Sequence, residues 1–139
     1  MASSQNFSST RESGATGGKI LVVDDEADIA ALIRRAFERY GYRFDIFTDP
    51  LSALEAFRRS PRDYALVVTD LRMPGMNGMQ LAEALWQIRQ DTKVLFMTAY
   101  LSEELRPTSG WSMYKKDVVE KPFNLQQFCA EIRSRMLSA

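Results

Sequence analysis

The sequence has 139 residues, room for one domain. Its 18 basic and 18 acidic residues cancel to zero formal charge, which speaks against non-specific nucleic-acid binding, where a cationic excess must displace counterions from phosphates. With no histidine and a single cysteine, the chain holds no His-rich zinc site, no Ser/His/Asp or Cys/His couple and no internal disulfide.

Residues Met1 to Gly18 are rich in Ser, Thr and Gly, with Phe7 the only large apolar side chain after Met1. Such a stretch buries too little to offset its ordering entropy and predicts a flexible tail, leaving 19–139 as the folded unit. No apolar run reaches the roughly 20 residues of a membrane span, and no secretory leader pattern is present. The expectation is a cytoplasmic protein in a reducing compartment, touching neither membrane nor nucleic acid directly.

From Lys19 onward, apolar runs of strand length alternate with segments of helical period. Ile20 to Val23 reads as a first strand ending in Asp24-Asp25. Ile29, Leu32, Ile33, Ala36, Phe37 and Tyr40 then mark one helical face, closed by Gly41. Phe44 to Phe47 is a second strand, and Asp49-Pro50 supplies cap and first-turn proline for a helix with Leu51, Leu54 and Phe57. Tyr64 to Thr69 is a third strand ending at Asp70. The turn-rich Met73 to Gly78 leads to a helix carrying Leu81, Leu85 and Ile88. Val94 to Met97 is a fourth strand ending at Thr98, and Val118-Val119 a fifth, followed by Lys121-Pro122. A last helix, capped by Asn124, buries Leu125, Phe128, Ile132 and Met136. Strands without polar alternation are buried on both faces, so the fold class is α/β, a doubly wound (βα)5 parallel sheet.

Polar residues interrupt this pattern at one place, the carboxyl ends of the strands: Asp24 and Asp25, Asp70, Thr98 and Lys121. Ligands of open α/β sheets bind at that edge, where strand order reverses. With the flavodoxin-like order 2-1-3-4-5, three carboxylates, a hydroxyl and an ammonium converge on one pocket. Individually each has a bland reading: Asp24 or Asp25 as helix cap, Thr98 as turn residue, Lys121 as solvated charge. Their coincidence at one edge favours a site. Two carboxylates about 4 Å apart repel by roughly 4 kcal/mol at an effective dielectric near 20, so a proton or a cation must intervene. All-oxygen donors suit Mg²⁺, and a carboxylate among a divalent ion, an ammonium and a hydroxyl is equipped to accept a phosphoryl group.

The runs Leu21-Val22-Val23-Asp24-Asp25-Glu26, Asp70 to Gly78, Met97-Thr98-Ala99 and Glu120-Lys121-Pro122-Phe123 together resemble the receiver domain of two-component response regulators, of the stand-alone type akin to the chemotaxis response regulator. The resemblance runs from about Lys19 to the C-terminus. It implies Asp70 as phosphoacceptor, with Mg²⁺ held by Asp25, Asp70 and the Arg72 backbone carbonyl and by Asp24 mostly through water. Thr98 would hydrogen-bond a phosphoryl oxygen and Lys121 pair with another, aimed by a cis Lys121–Pro122 bond. The loop from Pro74 to Gly78 would shape the pocket mouth. A histidine kinase or phosphotransfer protein would be the donor, since this chain has no histidine, and a downstream protein would read the output.

One region departs from the resemblance. The position of the usual switch aromatic, three residues before the lysine, is Val118. The stretch from Pro107 to Lys116 fits a helix poorly, so a fourth helix is expected to be short, displaced or mobile. Tyr100, Trp111 and Tyr114 are candidate substitutes for the aromatic or parts of an output surface; covering the core is the alternative for Trp111 and Tyr114. Arg72 either tunes hydrolysis beside Asp70 or is simply solvated. Cys129 reads as core filler in preference to a redox sensor.

The expected function is a phosphorylation-dependent switch, not a turnover enzyme. A Mg²⁺-dependent aspartyl-phosphate phosphohydrolase is the alternative, but its general acid two residues after the nucleophile is replaced by Arg72, and the chain is too short for a lid. A degenerate receiver binding partners without phosphorylation is the third reading.

Overall fold

In the computed structural model, residues 18–104, 106, 117–121 and 124–137 are described. The tail through residue 17, the stretch 107–116 with Trp111 and Tyr114, and the Lys121–Pro122 bond lie outside them. Five strands, β1 (Lys19–Val23), β2 (Phe44–Phe47), β3 (Tyr64–Asp70), β4 (Val94–Thr98) and β5 (Val118–Glu120), form one parallel sheet in the order β2-β1-β3-β4-β5. Helices α1 (Ala27–Tyr40), α2 (Pro50–Arg59), α3 (Gly78–Ile88), α4 (Leu101–Glu104) and α5 (Leu125–Leu137) alternate with them. The doubly wound expectation and its strand order hold. Among the described residues, no helix is long and apolar enough to cross a membrane.

Alternate residues of each central strand feed two cores. Leu21, Val23, Val67 and Phe96 pack with Ala53, Leu54 and Phe57 of α2 and with Leu81, Ala82 and Leu85 of α3. Ile20, Val22, Leu66, Val68, Leu95 and Met97 pack with Ile33 and Phe37 of α1 and with Phe128, Cys129 and Ile132 of α5. Burying both sheet faces is what these unbroken apolar strands require. Cys129 is core filler, its thiol pushed up to about 11 by burial, which leaves little reactive thiolate.

Helix ends follow local chemistry. Gly41 closes α1 with φ 75, a left-handed cap suited to glycine. Asp49 accepts from the Ser52 N–H (3.0 Å) to start α2, and Asn124 accepts from Gln127 (3.0 Å) to start α5. The buried stripes differ in detail from the expected ones. Leu32, Tyr40 and Leu51 are exposed, while α1 buries Ala30, Ile33, Ala36 and Phe37, and α2 buries Pro50, Ala53, Leu54 and Phe57. Apolar spacing allows two overlapping stripes on each helix, and the docking angle on the sheet selects one of them.

The β3–α3 loop is held against the phosphoacceptor candidate. Asn77 and Gln80 form a reciprocal capping box (2.8 and 2.9 Å), and the Gly78 N–H donates to the Leu71 carbonyl (2.9 Å). A Cβ on Gly78 would overlap the Asp70 carbonyl oxygen and lie 3.0 Å from Leu71 Cα. Gly78→Ala is therefore expected to cost about 1–3 kcal/mol of stability through overpacking. Urea unfolding checks this; a midpoint equal to that of the parent would mean that the loop absorbs the methyl freely.

Candidate functional site

Backbone ladder bonds place each polar residue at the sheet edge. Asp24 N–H donates to Phe47 O (3.1 Å), Leu71 N–H to Met97 O (2.8 Å) and Lys121 N–H to Thr98 O (2.7 Å). Asp70 pairs in register with Met97, and Thr98 with Glu120. Residues distant in sequence thereby line one rim.

At that rim the Lys121 ammonium lies 3.0 Å from Asp24 Oδ2, 3.1 Å from Asp70 Oδ2 and 3.2 Å from Glu26 Oε1. Asp24, Asp70 and Lys121 are nearly sealed from solvent, at 0%, 5% and 6% exposure, whereas Asp25 and Glu26 face it. The two oxygens of Asp24 are engaged differently, and neither caps α1 by a side-chain bond to its first turn. Its Oδ1 accepts from the Glu26 N–H at the start of α1 (2.9 Å), and its Oδ2 faces Lys121. Glu26 is the member that sequence reasoning passed over. The run of three acids was the available signal, but a third, exposed carboxylate is ordinarily a helix-start residue.

Carboxylate oxygens of Asp24, Asp25 and Asp70 lie within 4.8 Å of one another, a group that could hold a metal ion. The electrostatics show the tension in this arrangement. Burial and the adjacent Asp24 charge push the Asp70 carboxyl up to about 7, against the pull of Lys121. Burial also raises Asp24, opposed by the Glu26 N–H and by Lys121. Burial alone would lower the Lys121 ammonium, but its carboxylate partners outweigh it and push it up to about 12. A hard divalent cation would answer this surplus of negative charge, and the all-oxygen donor set is of the kind that could hold one.

Proton linkage follows. With its carboxyl raised to about 7, Asp70 would have to lose a proton to any metal bound there below that pH, so divalent-ion affinity is expected to rise about tenfold per pH unit up to 7 and to level off above it. Calorimetric titration with MgCl₂ from pH 5.5 to 8.5 checks this; affinity independent of pH would remove Asp70 from the ligand set.

Thr98 is buried on β4, and its Oγ1 accepts from the Tyr100 N–H (2.9 Å). The half-buried Val118 packs against the core, so no aromatic stands at that position. Arg72 is not merely solvated. Its guanidinium pairs with Glu103 of α4 (2.6 Å) and lies 4.1 Å from the centroid of the Tyr100 ring.

Comparison with known proteins agrees with the geometry. A family model described as the response regulator receiver domain matches residues 20–133. The response regulator receiver protein CpdR of Brucella abortus is 32% identical over 121 residues, covering 87% of this chain and 98% of that protein. The transcriptional regulatory protein TcrA of Mycobacterium tuberculosis is 33% identical over 86% of this chain but only 46% of its own length, so the chain spans about half of that relative. Among solved structures, the non-phosphorylated HemR receiver domain from Leptospira biflexa superposes with a TM-score of 0.74 at 28% identity, covering 88% of this chain and 96% of that one.

Proposed function

Because the chain belongs to the response regulator receiver family, whose members are phosphorylation-dependent signalling switches of two-component systems, we propose that Asp70 is the residue phosphorylated. The observation that carries this reading is the Lys121 ammonium seated 3.1 Å from Asp70 and 3.0 Å from Asp24, at the edge where Thr98 also lies.

An Asp70 carboxylate oxygen attacks the phosphorus of a phosphohistidine. The P–O bond forms, the P–N bond breaks, and its electron pair returns to the imidazole nitrogen, which takes a proton from water. Lys121 holds a phosphoryl oxygen by charge, and the Thr98 hydroxyl donates a hydrogen bond to another. Asp25, Asp70 and the Arg72 carbonyl would hold Mg²⁺ directly, with Asp24 contributing through water; the ion supplies neutralisation of the phosphoryl oxygens. The donor is a histidine kinase or phosphotransfer protein, as membership of the receiver family implies. The output is read by a downstream protein in the cytoplasm.

The switch reading is favoured over a turnover phosphohydrolase by Arg72. A guanidinium stands two residues after Asp70, where a general acid would serve the enzyme, and it is engaged with Glu103. A permanently charged group cannot donate a proton at neutral pH.

The test is incubation of the protein with Mg²⁺ and a small acyl phosphate, followed by mass spectrometry. One alkali-labile phosphoryl group is expected, lost on chelation of the metal and absent in Asp70→Asn. Undiminished labelling of that variant would place the chemistry elsewhere.

A further inference from the structure

We propose that the Arg72 guanidinium is a second phosphoryl-binding cation, one that leaves Glu103 for the phosphoryl group on Asp70 and so releases α4. The proposal rests on Asp70 being the phosphoacceptor and assigns that site its route to the surface.

Three connections join the pocket to α4. Arg72 follows Asp70 by two residues at the same strand end. Its guanidinium pairs with Glu103 Oε1 at 2.6 Å and stacks over Tyr100. The Tyr100 N–H donates to Thr98 Oγ1, the hydroxyl assigned to the phosphoryl group. Phosphoryl binding by Arg72 would therefore remove one support of the α4 start, while the Thr98 hydroxyl, which can donate to the phosphoryl group and still accept from Tyr100, would carry the Tyr100 end with it as it turns toward the group. Val118, packed into the core, offers no aromatic ring to do this work.

Charge supplies the direction. In the unphosphorylated state Lys121 is already divided among Asp24, Glu26 and Asp70. Phosphorylation replaces one carboxylate charge with about −1.5 to −2 spread over three acceptor oxygens, and an oxygen left over by Mg²⁺ and by the already divided Lys121 draws in a second side-chain cation. The guanidinium fork matches a phosphoryl group in two parallel hydrogen bonds, which a single contact to a half-exposed carboxylate does not equal. Glu103 loses little when Arg72 departs, because Arg106 already stands 3.6 Å from its other oxygen. The Arg72–Glu103 pair is half exposed on both sides, and such pairs are weak enough to exchange.

The experiment uses the full chain with Mg²⁺ and beryllium fluoride as the phosphoryl mimic, reading amide hydrogen exchange over residues 99–104 and the mimic's affinity. In the parent, saturation should accelerate exchange of the α4 amides severalfold. Glu103→Gln frees Arg72 beforehand. Its α4 amides should exchange fast without the mimic and gain little from it, and by reciprocity it should bind the mimic about two- to fivefold more tightly. Arg72→Ala should also exchange fast at rest but bind the mimic more weakly, with Arg72→Lys between it and the parent. Unchanged α4 exchange in the saturated parent, or equal or weaker binding by Glu103→Gln, overturns the proposal. Acyl-phosphate labelling of the same preparations separates the two levels. An unlabelled parent sinks the Asp70 assignment itself, whereas a labelled parent with a static α4 sinks only the Arg72 exchange.

Discussion

Replacing Lys121 by methionine should cost about 3–5 kcal/mol of folding stability at pH 8 without divalent cations, because it removes one partner of a buried ion cluster and strands the others. Methionine keeps the length and apolar volume of the lysine stem, so the loss is one of charge. Asp24 and Asp70 remain, both nearly sealed from solvent and, among the described residues, ion-paired to no other cation. The Lys121 ammonium has a pKa raised to about 12 in the folded state, above its ordinary 10.5, so its contribution is fully present below pH 10.5 and lost only as pH rises through 12. Any pH dependence between 5 and 8 therefore belongs to the carboxylates. The deficit of Lys121→Met should shrink at pH 5, where protons replace the ammonium, and shrink again with millimolar Mg²⁺ at pH 8. Urea titrations at both pH values, with and without Mg²⁺, give the four numbers. An identical deficit in all four conditions would mean that Lys121 acts through packing and that the electrostatic account of the pocket is wrong.

Asp70→Asn is expected to do the opposite to stability while abolishing phosphorylation. The Asp70 carboxyl is raised from 3.8 to about 7 in the folded protein. Protonation therefore favours the fold: the carboxyl's unfavourable contribution is absent below pH 3.8, grows as pH rises towards 7 and stays at its full value above. Three pKa units correspond to about 4 kcal/mol at most, and relief of about 1–4 kcal/mol at pH 8 is expected from an amide of the same shape that never ionises. The advantage should fade towards pH 4 and diminish when Mg²⁺ stabilises the parent. Thermal unfolding of parent and variant at pH 4 and pH 8 measures it. A variant less stable than the parent at pH 8 would show that the Lys121–Asp70 attraction outweighs burial and the Asp24 repulsion. Loss of phosphorylation together with gain of stability would mark Asp70 as a residue retained at a cost to the fold, as expected where burial is used to tune a reactive group.

Much of this molecule is legible in its amino-acid sequence. Strand identity was readable because the apolar runs are of strand length and rich in β-branched residues, and the helix ends because Gly41, Asp49 and Asn124 act on backbone groups only three or four residues away. The strand-end position of Asp24, Asp70, Thr98 and Lys121 came from the same local logic, and the parallel topology turned that shared position into proximity. What the linear order could not decide were matters of docking angle and long-range approach. Which of two overlapping stripes α1 and α2 would bury depended on how each helix lies on the sheet, so Leu32, Tyr40 and Leu51 emerged into solvent. The claim of Glu26 on Lys121, across 95 residues, and of Arg72 on Glu103, across 31, depends on long side chains meeting beyond the sheet edge, where no periodicity constrains them. The proton affinity of Asp70 was likewise invisible, since it depends on how much water the fold removes and how near Asp24 is brought. Local sequence determined which groups stand at the rim; the assembled chain decided which of them touch, because Coulomb and desolvation energies depend on distances that only packing sets.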